Sequence, residues 1–403
     1  MRSKSRTFSI YVVLIVFSVL VVLNPVVFSL YLNLQMMPAI YLLVLDFAVA
    51  SIGVLCILHL KTRRRAYVIT SVIGVLCLPF LMGLAELTLT YVRLVYGFKW
   101  NGIEYQNVHE PDPVLGWRPI PNAKGRHRSR GNFDVLYNID EKGRKAIPQN
   151  KGARRTVYFF GDSFTFGQGV MNEDTALNLL AAKIEDQLNV LNYGVIGYGL
   201  EQMLARLRSS LDTIEPGDLI VFSPLSEDIL RNLIHRVHIC RLILTKGSVS
   251  GGSVQSVPVF RNGRWDIIQI REECGLLESL LLASYRMPMG ILYRWYRDMK
   301  FGDTLLDHAD QILTEAARLG QQRGGHFVLV FLVTPAECER QAFAVDVHRL
   351  KMPFVSLMPF CPEDPETLKS LRFPNDQHWS PEGNRWAARA LEQVLRARLA
   401  VFQ

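Results

Sequence analysis

Hydrophobic positions fall along this chain in two regimes: long unbroken runs up to about residue 93, then short periodic blocks. No charged side chain occurs from Thr7 to Leu45. Three runs, at about residues 8–32, 39–60 and 67–91, are each near or above the roughly 20 apolar residues that cross a bilayer core. The first is longer than the core of a secretory signal peptide and ends without a small-residue cleavage site, so it is expected to stay attached.

Basic residues orient these runs. Arg2, Lys4 and Arg6 precede the first, "KTRRR" (residues 61–65) joins the second to the third, and the loop between the first two holds no Lys or Arg. Short loops rich in Lys and Arg stay in the cytoplasm. The pattern therefore predicts a three-span transmembrane region over residues 1–93 with its N-terminus inside. Everything after it lies outside, which for a bacterial inner (plasma) membrane means the periplasmic or extracellular side. Asp46 and Glu86 fall within the runs, where an ionisable side chain meets a partner protein, packs between helices or sits as a protonated acid near the interface, with Arg93 able to reach toward Glu86.

Beyond residue 155 the pattern changes. "TVYFF", "LNVLNY", "DLIVFS" and "HFVLVFLV" read as buried strands, and residues 174–187, 200–211 and 305–319 read as amphipathic helices. Apolar strands alternating with helices predict a parallel sheet covered on both faces, an α/β three-layer, flavodoxin-like domain over residues 156–403. An insertion at about residues 231–300 interrupts it. There "VPVFRNGRWDII" holds two alternating runs around Asn262-Gly263, a hairpin signal because both turn positions need positive φ. Residues 94–155, rich in Pro, Gly and Arg with a short strand at "FDVLYNI", read as a lead-in segment packed on that domain. "SPEGNRWAARALEQVL" opens the last helix, with Ser380 as N-cap and Pro381 at the first helical position.

Charge and cysteine content narrow the picture. The formal net charge is +8, but much of it sits in the cytoplasmic clusters, and the remainder is scattered Arg without an accompanying nucleic-acid motif. Nucleic acid is not an expected partner. Of six cysteines, Cys56 and Cys77 lie in the apolar runs. Cys240, Cys274, Cys338 and Cys361 lie outside, in a compartment that permits disulfides. No CxxC pair or zinc spacing appears, so structural bridges or plain buried thiols are expected before metal ligation, with Cys240–Cys274 and Cys338–Cys361 as the local pairings if bridges form.

In an open parallel sheet the loops at the carboxyl ends of the strands converge on one crevice. Ser163 follows the first strand in "FFGDSFTFGQGV", residues 194–199 follow the second, and residues 226–232 the third. Asp376 and His378 precede the last helix. A serine hydroxyl is a weak nucleophile until a base accepts its proton and a third group orients that base, and Ser163, His378 and Asp376 supply the three parts. Gly197 lacks a side chain, so its N–H and that of Ser163 are candidate donors to a developing oxyanion. Each residue also has a plainer role: a strand-end turn for Ser163, packing beneath a helix for His378, positive φ for Gly197. The combination favours catalysis.

These motifs resemble the SGNH (GDSL-like) esterase superfamily, in particular its membrane-anchored members associated with surface polysaccharides. "FFGDSFTFGQGV" is similar to the first motif, carrying Ser163. "LNYGVIGYGLEQ" is similar to the second, with Gly197 five residues after Asn192, and "NDQHWSPEGN" to the last, carrying Asp376 and His378. The resemblance runs from about Asp112 to Leu399 and takes in "DPVLGWRPIPN" and "YNIDEKGRK". Two departures stand out. The family's third motif supplies an Asn amide to the oxyanion, whereas "FSPLSEDILRN" places Glu227 there, and an ionised carboxylate only accepts hydrogen bonds. Glu227 is therefore expected to turn away, with Glu227 or Asp228 pairing with Arg231. Many members space the acid and base as DxxH, which would put Asn375 in the acid's place.

The resemblance implies a serine esterase that works through an acyl-enzyme on O-acyl groups, O-acetyl being the expected one, of a cell-surface or exported polysaccharide. It implies no metal or organic cofactor, and a polysaccharide-assembly or acyl-donor membrane protein as partner. Two alternatives remain beside it: an O-acetyltransferase using the same triad, and a non-catalytic scaffold that binds polysaccharide or an assembly complex, for which Glu227 is the motive.

Overall fold

The computed structural model describes residues 103–105, 108–150, 152–184, 188–231, 248–249, 252–254, 256–261, 263–269 and 288–399. The three expected spans and the expected Cys240–Cys274 pair lie outside the described residues. No helix among the described residues is long and apolar enough to cross a membrane. The chain divides into two compact units, residues 1–94 with 280–298 and residues 95–279 with 299–403.

In the second unit the lead-in forms two small antiparallel structures. Strand β1 (Ile103–Tyr105) joins a sheet with β4 (Lys124–Ser129) and β5 (Phe133–Asn138) in the order β1-β4-β5. Between them β2 (His109–Asp112) pairs with β3 (Gly116–Pro119). Asp112 Oδ1 closes that hairpin by accepting from the amides of Val114 at 2.8 Å and Leu115 at 2.7 Å. Strand β4 escapes a hydrophobicity scan for a physical reason. Its inward positions are Gly125, His127 and Ser129, and Lys124, Arg126 and Arg128 face water, so the period of two is present without apolar residues to mark it.

The main sheet is parallel throughout. Its strands are β6 (Arg155–Gly161), β7 (Leu188–Asn192), β8 (Leu219–Ser223), β11 (His326–Phe331) and β12 (Val355–Ser356), in the order β12-β11-β8-β6-β7. The continuous apolar runs reflect burial of both faces. Val157, Phe159, Leu219, Val221, Val328 and Val330 point to one core, shared with α2 (Ala176–Ile184) and α6 (Pro381–Leu399). Tyr158, Phe160, Ile220, Phe222, Leu329 and Phe331 point to the other, shared with α3 (Leu200–Arg208) and α4 (Pro288–Gln322). Fully burying each large apolar side chain is worth about 1.5–3 kcal/mol.

Two helices differ from the periodic reading. Helix α2 begins two residues later than the expected residue 174, and residues 185–187 lie outside the described residues. The helix expected over residues 305–319 is the second half of α4, which begins at Pro288, inside the stretch read as an insertion. Gly302 and Asp303 blur the apolar period there, yet one glycine in a helix interior costs only about 1 kcal/mol, so the helix continues through them. The hairpin is present as β9 (Ser256–Arg261) and β10 (Arg264–Gln269), closing at Arg261 and Arg264. Cys338, in α5 (Pro335–Arg340), is bonded to Cys361 across a sequence separation of 23 residues, a constraint on the unfolded chain of about 3 kcal/mol in the loop-entropy view.

Candidate active site

Strand β6 ends at Gly161, where any side chain would collide with Thr165 and with the Ser223 carbonyl. The chain then turns at Asp162 into a single helical turn, α1 (Ser163–Phe166), whose N-cap is the Asp162 carboxylate accepting from the Phe164 amide at 2.9 Å. Gly167 closes the turn with φ of +76°, a left-handed conformation that favours glycine. Ser163 is thus presented by a short, doubly anchored loop at the carboxyl end of β6, the strand between β8 and β7, and it is 4% exposed.

Asp376 and His378 lie on β14 (Asp376–Trp379), which pairs with β13 (Arg372–Phe373). Side chains two apart on a strand share a face, so Asp-x-His aims both groups the same way. His378 Nδ1 meets Asp376 Oδ1 at 2.5 Å, and His378 Nε2 meets Ser163 Oγ at 2.9 Å. The His378 amide also donates to Asp376 Oδ1 at 2.9 Å. Phe164 stacks on the imidazole with ring centroids 5.0 Å apart. Burial works against ionisation of Asp376, but the hydrogen bonds and charge of His378, with a contribution from His127, more than offset it and hold the carboxyl below its ordinary value. The acid's place is taken by Asp376 and not by Asn375, whose backbone N–H donates to Asn132 Oδ1 in the lead-in at 2.9 Å.

The second loop is set by Asn192, at the end of β7. Its side chain donates to Thr165 O at 2.9 Å and accepts from the Gly194 amide at 2.9 Å. Gly197 adopts φ of +82°, the left-handed region again. Trp117 of the lead-in donates from Nε1 to Ile196 O at 2.9 Å, and Tyr198 donates from its hydroxyl to Trp117 O at 2.5 Å. Neither the Ser163 amide nor the Gly197 amide donates to another group among the described residues.

The third loop is a 3-10 turn, Ser226–Arg231. Glu227 is exposed on it, away from the buried cluster formed by its neighbours. Asp228 is fully buried, accepts from the Leu225 amide at 2.9 Å, and lies 2.5 Å from Arg231 Nη1. Burial pushes the Asp228 carboxyl well above its ordinary value, against the attraction of Arg231. Arg231 Nη1 also reaches Asp162 Oδ2 at 3.0 Å and Tyr198 O at 3.1 Å. Ser226 donates to Glu337 Oε1 at 2.6 Å, linking this turn to α5 and so to the disulfide.

Four neighbours of the triad have roles that the motifs did not assign: Asp162 as cap and ion-pair partner, Phe164 as the imidazole's stacking partner, Arg231 as the link to Asp162 and Tyr198, and His127. Burial and the nearby His378 charge push the His127 imidazole down to about 4, against the pull of Asp376. Asp162 had a legible signal, an Asp directly before the helix that follows a strand, and Arg231 was legible as a partner for Asp228. Among the described residues no group of three or more His, Cys, Asp or Glu is placed to hold a metal ion.

No protein-family model matches the chain, and no curated protein matches it. Among solved structures it is similar to a member of the lipolytic protein G-D-S-L family from Veillonella parvula, at 15% identity and a TM-score of 0.33, over 60% of this chain and 97% of that one. It is also similar to TesA, at 14% identity and a TM-score of 0.33, over 60% of this chain and 99% of that one. Both similarities are distant, and the chemistry of the cluster follows from its own geometry.

Proposed function

We propose that the chain is a serine ester hydrolase working through an acyl-enzyme. The observation that carries this is the continuous pair of hydrogen bonds from Asp376 through His378 to Ser163. Asp376 fixes the proton of the neutral imidazole on Nδ1, which leaves Nε2 free to accept the Ser163 proton. The Ser163 oxygen then attacks the ester carbonyl carbon, and the carbonyl oxygen takes up negative charge facing the Ser163 and Gly197 amides. As the intermediate collapses, the alkoxide leaves and takes the proton back from His378 Nε2. Water, deprotonated by the same nitrogen, releases the acyl group.

The location and the substrate class rest on the sequence. Three apolar runs with inside-positive loops support an anchor that holds this domain outside the cytoplasmic membrane. The resemblance to polysaccharide-associated SGNH members supports an O-acetylated surface or exported polysaccharide as substrate. A sugar hydroxyl in place of water would make the same site an O-acetyltransferase, served by an acyl-donor membrane partner. Incubating the protein with p-nitrophenyl acetate, with and without an oligosaccharide acceptor, separates the two by whether an acetylated sugar appears. Labelling with a fluorophosphonate, in the wild type and in Ser163→Ala, tests the catalytic reading itself. Ser163-dependent labelling is expected, and its complete absence from folded protein overturns that reading in favour of a non-catalytic scaffold.

A further inference from the structure

One cation joins the loop that carries the nucleophile to the loop that carries Gly197. Arg231 Nη1 contacts Asp162 Oδ2, immediately before Ser163, and Tyr198 O, immediately after Gly197. The electrostatic setting gives this link a consequence. Asp162 is fully buried, and the oxygen that Arg231 holds also lies 3.3 Å from Ser163 Oγ. A carboxylate that near the reacting oxygen opposes the charge that grows on the tetrahedral intermediate, and it does so strongly where water is excluded. Glu227, in the slot of an amide donor, is exposed. The burden therefore falls on two backbone amides, whose convergence depends on whatever fixes their loops.

We propose that Arg231 is a positioning residue for ester cleavage: it cancels the Asp162 charge beside Ser163 and pins Tyr198 O, so that the Gly197 and Ser163 amides meet the same oxyanion. This rests on the serine-esterase reading. Asp228 Oδ1 contacts the same Nη1, at 2.5 Å, and Asp228 and Asp162 together more than offset the burial that works against the Arg231 charge.

The test uses the full-length protein as wild type, Ser163→Ala, Arg231→Met, Arg231→Lys, Asp162→Asn and Asp162→Asn/Arg231→Met. The readouts are kcat and KM on p-nitrophenyl acetate, thermal midpoint, and affinity for a trifluoromethyl ketone, which adds to the serine and carries its charge where the oxyanion would be. Arg231→Met is expected to lower kcat by about 10²-fold, the scale of one lost oxyanion donor, with KM within about threefold and ketone affinity falling in parallel. Arg231→Lys, which keeps the charge, is expected to recover about tenfold. A folded Arg231→Met within threefold of wild type overturns the proposal, as does a fall in kcat without a fall in ketone affinity. An uncancelled buried charge can unfold a protein, so the double variant decides if Arg231→Met does not fold. In the Asp162→Asn background, where Asn still caps the Phe164 amide, Arg231→Met is expected to cost at most about tenfold in kcat, and a cost of about 10²-fold there overturns charge cancellation. A wild type that neither turns over the ester nor binds the ketone removes the esterase reading instead, independently of Arg231.

Discussion

Replacing Asp376 by Asn separates the two things the carboxylate does for His378. Both the imidazole Nδ1 and the His378 amide contact the same oxygen, Asp376 Oδ1. Only a carbonyl oxygen can accept from that amide, so the Asn side chain is held with its oxygen in the Oδ1 position and the tautomer survives. What is lost is the negative charge beside the imidazolium that forms when His378 takes the Ser163 proton. Two unit charges about 4 Å apart attract by about 1 kcal/mol in water and about 4 kcal/mol at a typical near-surface permittivity. Both side chains are 22% exposed, which places the effect between those limits, at about 10²- to 10³-fold in kcat. Asp376→Ala also removes the orienting acceptor and is expected to fall further, toward the roughly 10⁴-fold loss that follows a wrong tautomer. Steady-state kinetics on p-nitrophenyl acetate, with near-ultraviolet dichroism as the folding check, reads both. A folded Asp376→Asn protein within fivefold of wild type would show that Asp376 is not the orienting acid.

Two further outcomes follow from the same neighbourhood. His127 and His109 have pKa values lowered to about 4 and about 3, chiefly by burial, against about 6.5 in an unfolded chain. The unfolded state therefore binds protons that the folded state refuses, and stability falls as pH drops from about 6.5 toward 4, by up to about 2.7 kcal/mol per pH unit if both take part fully. Guanidinium unfolding at stepped pH measures the slope, which His127→Gln should flatten, and a wild-type stability independent of pH over that window would contradict the burial argument. Glu227→Asn should leave kcat/KM within about threefold, since it alters an exposed side chain, whereas loss of all turnover in the folded variant would give the carboxylate a direct role.

The residues that were legible in the sequence share a property: their roles follow from local geometry. Ser163 after an apolar strand, Gly197 in a left-handed turn and Asp376 two residues from His378 on one strand need only short-range rules to be placed. Arg231 was legible as a partner for Asp228, but its reach to Asp162 and Tyr198 depends on how a 3-10 turn packs against two other loops. His127 was hidden more deeply. It belongs to a strand whose inner face is Gly, His and Ser, so no apolar alternation marked the strand or its buried face. The helix boundaries failed for the converse reason, since glycine and aspartate near residue 302 interrupted a period that the backbone itself does not interrupt.

The lead-in has more to do with the site than its composition suggests, because it touches three of the four segments that form it: the turn after Ser163, the Gly197 loop and the segment carrying Asp376 and His378. Trp117 exchanges hydrogen bonds with the Gly197 loop on both sides, through Ile196 O and the Tyr198 hydroxyl. Asn132 accepts from the amide of Asn375, and Phe133 packs on Phe373 with centroids 5.1 Å apart, so the strand carrying Asp376 and His378 leans on the β4–β5 hairpin. Lys145 is buried and donates at 2.8 Å to the carbonyls of Gly167 and Val170, while Tyr137 accepts from the Gly169 amide. Burial holds the Lys145 amine well below its ordinary value, and such a group is costly to bury unless its donors are used. Here they tie down the glycine-rich segment that follows Ser163. That is a physical reason for "DPVLGW" and "YNIDEKGRK" to accompany the three motifs: the parallel sheet brings the loops to one end, and the lead-in fixes their positions there.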